Sequence, residues 1–94
     1  MVISIDYDNT YTACPSLFNK IIDLFQKDGH TVICVTNRKN LSTMADEVNN
    51  SIGKLVDVIF AGSEWKRDAA LKAGYAVDIW IDDSPGFIEK LNLL

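Results

Sequence analysis

The sequence predicts one α/β domain built on a four-stranded parallel sheet, and three observations carry the expectation. Four short runs rich in β-branched residues are apolar almost without interruption: Val2–Ile5, Thr31–Val35, Val56–Phe60 and Val77–Ile81. Continuous rather than alternating apolar character means that both faces of each strand are covered, which makes a three-layer α/β/α arrangement. Segments of helical periodicity, about 10–13 residues each, separate the runs, as right-handed crossovers between parallel strands require. Each run also ends in polar or charged residues, and in open α/β sheets ligands bind at the carboxyl ends of the strands.

Taken in order, Val2–Ile5 is the first strand. Ser16–Asp28 reads as a helix, with Leu17, Ile21, Leu24 and Phe25 at helical spacing and Gly29 as its stop. Thr31–Val35 is the second strand. Leu41–Ile52 puts Leu41, Met44, Ala45, Val48 and Ile52 on one helical face, with Gly53 as the stop. Val56–Phe60 is the third strand, and Ser63 is read as the cap of a helix that runs to Ala73 and closes at Gly74. After the fourth strand, Ser84-Pro85 supplies N-cap and first-turn chemistry for a last helix carrying Phe87, Ile88, Leu91 and Leu94. No linker, low-complexity segment or repeat interrupts residues 1–94, so a single domain is expected.

Composition narrows the class. Ninety-four residues suffice for one core with little area to spare. The hydrophobic fraction of 48% and charged fraction of 23% are ordinary for a globular protein. A net charge of −4 gives no footprint for non-specific nucleic-acid binding. It leaves a nucleotide substrate open, because a bound cation reverses the local field. No apolar stretch reaches membrane-spanning length and no basic-then-apolar leader is present, so a cytoplasmic protein without a membrane partner is expected. Cys34 lies in an apolar run and is expected to be a small buried hydrophobe, and Cys14 precedes Pro15 in a loop. A disulfide is not expected in a reducing compartment, and two cysteines with one histidine make a poor zinc set.

The chemistry gathers at the strand exits. Asp6, Asp8 and Thr10 follow strand one, and Thr36, Asn37 and Arg38 follow strand two. Ala61-Gly62-Ser63 leads from strand three to Lys66, and Asp82, Asp83 and Ser84 follow strand four. The opposite strand ends are blander: Met1, His30, Leu55 and Ala76. Two carboxylates two residues apart after a buried strand repel each other and call for a compensating cation. Carboxylates from two strands are hard oxygen ligands suited to Mg²⁺ with a substrate phosphate. Thr36 offers a hydroxyl at a strand-to-helix turn, where backbone N–H groups favour an anion. Lys66 falls in the first turn of its helix, against the helix dipole, a locally disfavoured choice beside the polar strand exits. Metal ligands, a nucleophile, an acid/base, a hydroxyl and a lysine are what phosphoryl transfer requires.

With these residues in view, the chain resembles the haloacid dehalogenase superfamily of aspartate-dependent phosphohydrolases. Asp6-x-Asp8-x-Thr10 is similar to its first motif. Val32-Ile33-Cys34-Val35-Thr36 is similar to the second, Lys66 to the third-motif lysine and Ile79-Trp80-Ile81-Asp82-Asp83 to the acidic fourth. The four occur in order across nearly the whole chain. The resemblance implies a Rossmann-like fold of strand order 4-1-2-3 and a Mg²⁺-dependent phosphomonoester hydrolase working through an aspartyl-phosphate. It implies Asp6 as nucleophile and metal ligand. Asp8 is implied as acid/base, with its carbonyl on the metal. Thr36 and Lys66 are implied at the phosphoryl group, and Asp82 as a metal ligand. Asp83 is a second ligand or a support for the metal waters or Lys66. Asn37 and Arg38 are candidate substrate contacts, Arg38 for a phosphate or carboxylate.

Two departures from the family pattern shape the expectation. Only Tyr11–Pro15 separates Thr10 from the first helix, and no cap-sized insertion occurs, so the site is expected to be open. Members without a cap often act on large substrates or form a lid by oligomerising. The chain also runs only one helix past the fourth motif, without the family's usual fifth strand. The expected partner is a phosphorylated small molecule, nucleotide or macromolecule. Ile81-Asp82-Asp83-Ser84-Pro85 resembles the fourth motif of deoxyribonucleotidases, in line with a nucleotide or polynucleotide phosphatase. A non-catalytic phosphate- or metal-binding module is the rival reading. A response-regulator receiver fails on order, because its phosphoacceptor follows the third strand, where this chain has Ala61-Gly62-Ser63.

Overall fold

The computed structural model describes residues 1–90. Four parallel strands, β1 (Val2–Ile5), β2 (Thr31–Thr36), β3 (Asp57–Phe60) and β4 (Ile79–Ile81), form one sheet. Three helices, α1 (Pro15–Lys27), α2 (Ser42–Asn49) and α3 (Lys66–Lys72), alternate with them. The hydrogen-bonded order is β3-β2-β1-β4; counted from the β4 edge, the same order runs 4-1-2-3.

The continuous apolar runs are explained by two cores, one on each sheet face. In β2, Val32 and Cys34 join a cluster with Ile3, Ile5, Ile22 and Val48, under α1 and α2. Ile33 and Val35 point the other way, to Ala69, Ala70 and Val77 under α3. The layers therefore place α1 and α2 on one face and α3 on the other. β2 and β3 are added on one side of β1, and β4 returns to its other side, so the order of strand addition reverses between β1 and β4. That reversal opens the crevice where α/β sheets bind ligands.

Several boundaries differ from expectation, each for a physical reason. α1 begins one residue early, at Pro15, because proline fits the first helical position. It packs through Ile22, which is buried, flanked by the partly buried Phe18 and Phe25, while Leu17 and Leu24 are exposed. The apolar face of the helix is wide enough to hold two neighbouring stripes, and the one with Ile22 at its centre packs on the sheet. α2 stops at Asn49, and Leu41 and Met44 stay exposed. Gly53 is not its stop but sits in a 3-10 turn, Ile52–Lys54. A Cβ there would meet the Val48 carbonyl at 3.0 Å, so close backbone approach selects glycine.

Ser63 does not cap α3. Trp65 holds the cap position without a side-chain bond, and Lys66 becomes the first helical residue. Gly29 and Gly74 do end their helices, at φ of 84° and 95°. Each is followed by a residue whose N–H returns to the last turn, His30 to the Phe25 carbonyl and Tyr75 to the Ala70 carbonyl. β4 is shorter than expected, and Val77 serves the α3-side core instead. Beyond it, the expected last helix is, among the described residues, a 3-10 turn at Pro85–Phe87. Ile88 is buried, and its carbonyl accepts from Arg67 N at 2.9 Å. Leu91 and Leu94 lie outside the described residues. No helix among the described residues is long and apolar enough to cross a membrane.

The packing contrast on α1 predicts a contrast in stability. Ile22→Ala removes a fully buried side chain and is expected to destabilise by about 2–4 kcal/mol, a large part of the ~5–10 kcal/mol normal for this size. Leu24→Ala, at a position 67% exposed, is expected to stay within about 0.5 kcal/mol. Urea midpoints of the two variants against the parent check the assignment of the buried stripe.

Candidate functional site

Asp6 continues β1 by one ladder bond, donating its N–H to the Ile81 carbonyl at 2.9 Å. That bond fixes the exit of β1 against the exit of β4 and brings Asp6 beside Asp82 and Asp83. One oxygen from each of the three carboxylates lies within 4.8 Å of the others. Lys66, 2% exposed, is their counter-charge. Its ammonium donates to Asp6 Oδ1 at 2.8 Å and to Asp82 Oδ2 at 2.6 Å. The other Asp82 oxygen accepts from Ser84 N at 2.9 Å.

Thr10 ties the group from below. Its hydroxyl proton serves Asp6 Oδ2, 3.3 Å away, or Asp83 Oδ1, 3.2 Å away, and its oxygen accepts the Asp83 N–H at 3.2 Å. The turn that brings Thr10 back under Asp6 needs Asn9 at φ 61°, a left-handed conformation that asparagine tolerates better than most residues. Tyr11 N then donates to the Asp6 carbonyl at 3.1 Å and closes the loop.

Electrostatics follow the geometry. Burial pushes the Asp6 carboxyl up to about 6, against the pull of the Lys66 ammonium. Asp83 is held below its usual range, first by its hydrogen bond with Asp6, so at acid pH the proton of the pair resides on Asp6. Burial pushes Lys66 down, but its bonds to Asp6 and Asp82 outweigh that and leave the ammonium above its usual range. Cys34 lies beneath the site, and burial, aided by the negative charge of Asp6, pushes its thiol up to about 12.

Three carboxylates against one ammonium leave two negative charges in excess. All available donors are hard oxygens, and the buried Asp6 carboxylate is short of compensation. This donor set fits a divalent cation held by Asp6, Asp82 and Asp83. The Asp8 carboxylate is not part of the set.

Asp8 instead faces Arg38. The guanidinium Nε donates to Asp8 Oδ2 at 2.9 Å and Nη2 to Asp8 Oδ1 at 2.8 Å. The bond to Asp8 raises Arg38 above its ordinary value. Thr36 is buried, and its hydroxyl accepts the Arg38 N–H at 3.2 Å. Asn37 is spent on structure, its Nδ2 donating to the Gly62 carbonyl at 3.1 Å. All seven expected residues other than Asp82 line one open cleft of about 330 Å³, which Asn9, Ser84 and Phe87 complete. Asp82 lies behind Lys66 and lines the adjoining surface with Thr10.

Sequence reasoning assigned Thr10 no role, although the third position of the D-x-D-x-T run was the available signal. It also missed Asn9 and Phe87, and the pairing of Arg38 with Asp8, for which no local signal exists. No family model matches the chain, and no curated protein or solved structure is found to match it.

The raised Asp6 carboxyl has a definite sign for stability. Its folded value lies above the unfolded one of about 3.8, so the folded state binds the proton more tightly. Stability from this group is full below pH 4 and is lost as pH rises through 6. In chelator, Asp6→Asn is expected to match the parent near pH 4 and to exceed it above pH 6, by up to about 3 kcal/mol. Added divalent cation is expected to stabilise the parent and not the variant. Thermal unfolding from pH 4 to 7.5, with and without chelator, measures both effects.

Proposed function

We propose that this protein is a Mg²⁺-dependent phosphomonoester hydrolase of the haloacid dehalogenase type, with an open, capless site. The observation that carries the reading is the buried Lys66 ammonium bridging Asp6 and Asp82 at the β1–β4 crevice, with Asp83 and Thr10 completing the cluster. The four ordered motifs that resemble that superfamily supply these same residues.

In this reading an Asp6 oxygen attacks the substrate phosphorus, and the bond from phosphorus to the leaving oxygen breaks. Asp8 delivers a proton to that oxygen. A water then attacks the phosphorus of the aspartyl-phosphate, Asp8 takes the water's proton, and the bond to Asp6 breaks to release phosphate. Lys66 and Thr36 stabilise the transferring oxygens. Asp6, Asp82 and Asp83 would hold Mg²⁺, which would supply charge neutralisation for a dianionic phosphate beside an anionic nucleophile. Hard oxygen donors and a phosphate substrate favour Mg²⁺ over softer metals. Nucleotides and polynucleotide ends are the substrates to test first, on the likeness of Ile81-Asp82-Asp83-Ser84-Pro85 to the deoxyribonucleotidase motif.

A non-catalytic phosphate- or metal-binding module is the second reading. The observation that favours it is Asp8, whose two oxygens are both taken by Arg38.

Turnover separates the two. Hydrolysis of a generic aryl phosphate and a nucleotide panel is expected with Mg²⁺ and is expected to vanish with chelator. Asp6→Asn is expected to lower kcat by at least about 10³-fold, and Asp8→Asn by about 10²–10⁴-fold with the larger loss on poor leaving groups. Equal, negligible rates for the parent and Asp6→Asn across the panel would leave the binding module standing.

A further inference from the structure

The Arg38 guanidinium is held from several sides, and only one of them is Asp8. Its Nη1 donates to the Met44 carbonyl at 2.9 Å and pairs with Glu47 at 3.2 Å, both on α2. Its flat face lies over the Tyr7 ring, 4.9 Å from the centroid. That ring is buried, with its hydroxyl donating to the Glu47 carbonyl at 3.3 Å. These contacts persist if Asp8 turns away, and the Nε–Nη2 edge still faces the cleft that Arg38 lines. Asp8 is the more exposed partner, its side chain about half exposed, and few contacts other than the fork hold its carboxylate.

Two parallel guanidinium donors bind any carboxylate or phosphate oxyanion in one geometry. We propose that this edge is an exchangeable second anion site. Asp8 occupies it at rest, and a substrate with a second oxyanion beside its scissile phosphate takes it over and leaves Asp8 free in the cleft. The proposal rests on the phosphatase reading for the first phosphate and names the substrate class. That class is phosphomonoesters whose leaving group carries a carboxylate, another phosphate or the phosphodiester of a nucleotide chain. The exchange trades one oxyanion for another at the same fork, so no ion pair is lost. The receptor is already ordered, so little side-chain freedom is lost on binding. A neutral leaving group offers nothing to the fork and leaves both Asp8 oxygens engaged.

Binding and turnover test the site separately. Calorimetry in Mg²⁺ compares phosphonoacetate, which has a second anion, with methylphosphonate, which has none. The parent is expected to bind phosphonoacetate at least about tenfold more tightly, a gain in keeping with one charge-assisted fork. Arg38→Met is expected to bring the two within about threefold. Arg38→Lys keeps the charge without the fork and is expected to fall between, and it carries the test if the methionine variant does not fold. Equal binding by the parent, or a preference that survives in both variants through the metal alone, overturns the proposal.

For turnover, two matched pairs are compared: phosphoglycolate with 2-hydroxyethyl phosphate, and a 3′-phosphorylated dinucleotide with a nucleoside 3′-phosphate. The pair whose kcat/KM ratio falls in the Arg38 variants identifies the source of the second anion. Turnover without any such preference overturns the anion site and leaves the hydrolase. An Arg38-dependent binding preference without turnover of any substrate supports the anion site and overturns the hydrolase.

Discussion

One buried ion pair network governs this molecule: the Lys66 ammonium held between Asp6 and Asp82. It joins the first residue of α3 to the exits of β1 and β4, so it spans the crevice. The arrangement is a poor way to gain stability. Removing charges from water is expensive, and apolar replacements of buried ion pairs are often neutral or stabilising. Lys66 also opposes the dipole of a seven-residue helix that has no side-chain cap. A small domain that accepts these penalties at one place, and follows ordinary packing rules elsewhere, has its unfavourable choices concentrated where ligands bind.

The exits of β2 and β3 are joined by a softer set of contacts. The Thr36 carbonyl accepts from Ala61 N at 2.7 Å, and Asn37 holds the Gly62 carbonyl. Residues that look like substrate contacts in the sequence are also the ties that shape the cleft wall. Asn37 in particular has its amide donors turned to the loop after β3, so its contribution to ligand binding is one of form.

The strands and the members of the site were legible because their signals are local. A run of β-branched residues speaks for itself, and a carboxylate or lysine at a strand exit is conspicuous. What escaped was information that only packing creates. The expected α1 stripe of Leu17, Ile21, Leu24 and Phe25 lies beside Phe18, Ile22 and Phe25 at the same helical spacing, and only packing selects the second. Ser84-Pro85 carries helix-start chemistry, yet among the described residues it opens only a 3-10 turn, and a tertiary bond ties the Ile88 carbonyl to Arg67 N. Thr10 carries no charge to advertise its two carboxylate partners. The Asp8–Arg38 fork joins residues 30 apart and exists only once β1 and β2 are side by side.

The placement of Cys34 reaches beyond the site. Its thiol is sealed between the sheet and the helices and held above its ordinary range, whereas Cys14 is exposed in the loop before α1. Only the thiolate attacks alkylating reagents and oxidants. The folded protein therefore presents one reactive sulfur, and the second becomes reactive only when the central strand opens to solvent. The chain carries its own paired probe of unfolding: labelling of Cys14 reports exposure of the loop, and labelling of Cys34 reports the rate at which the sheet comes apart.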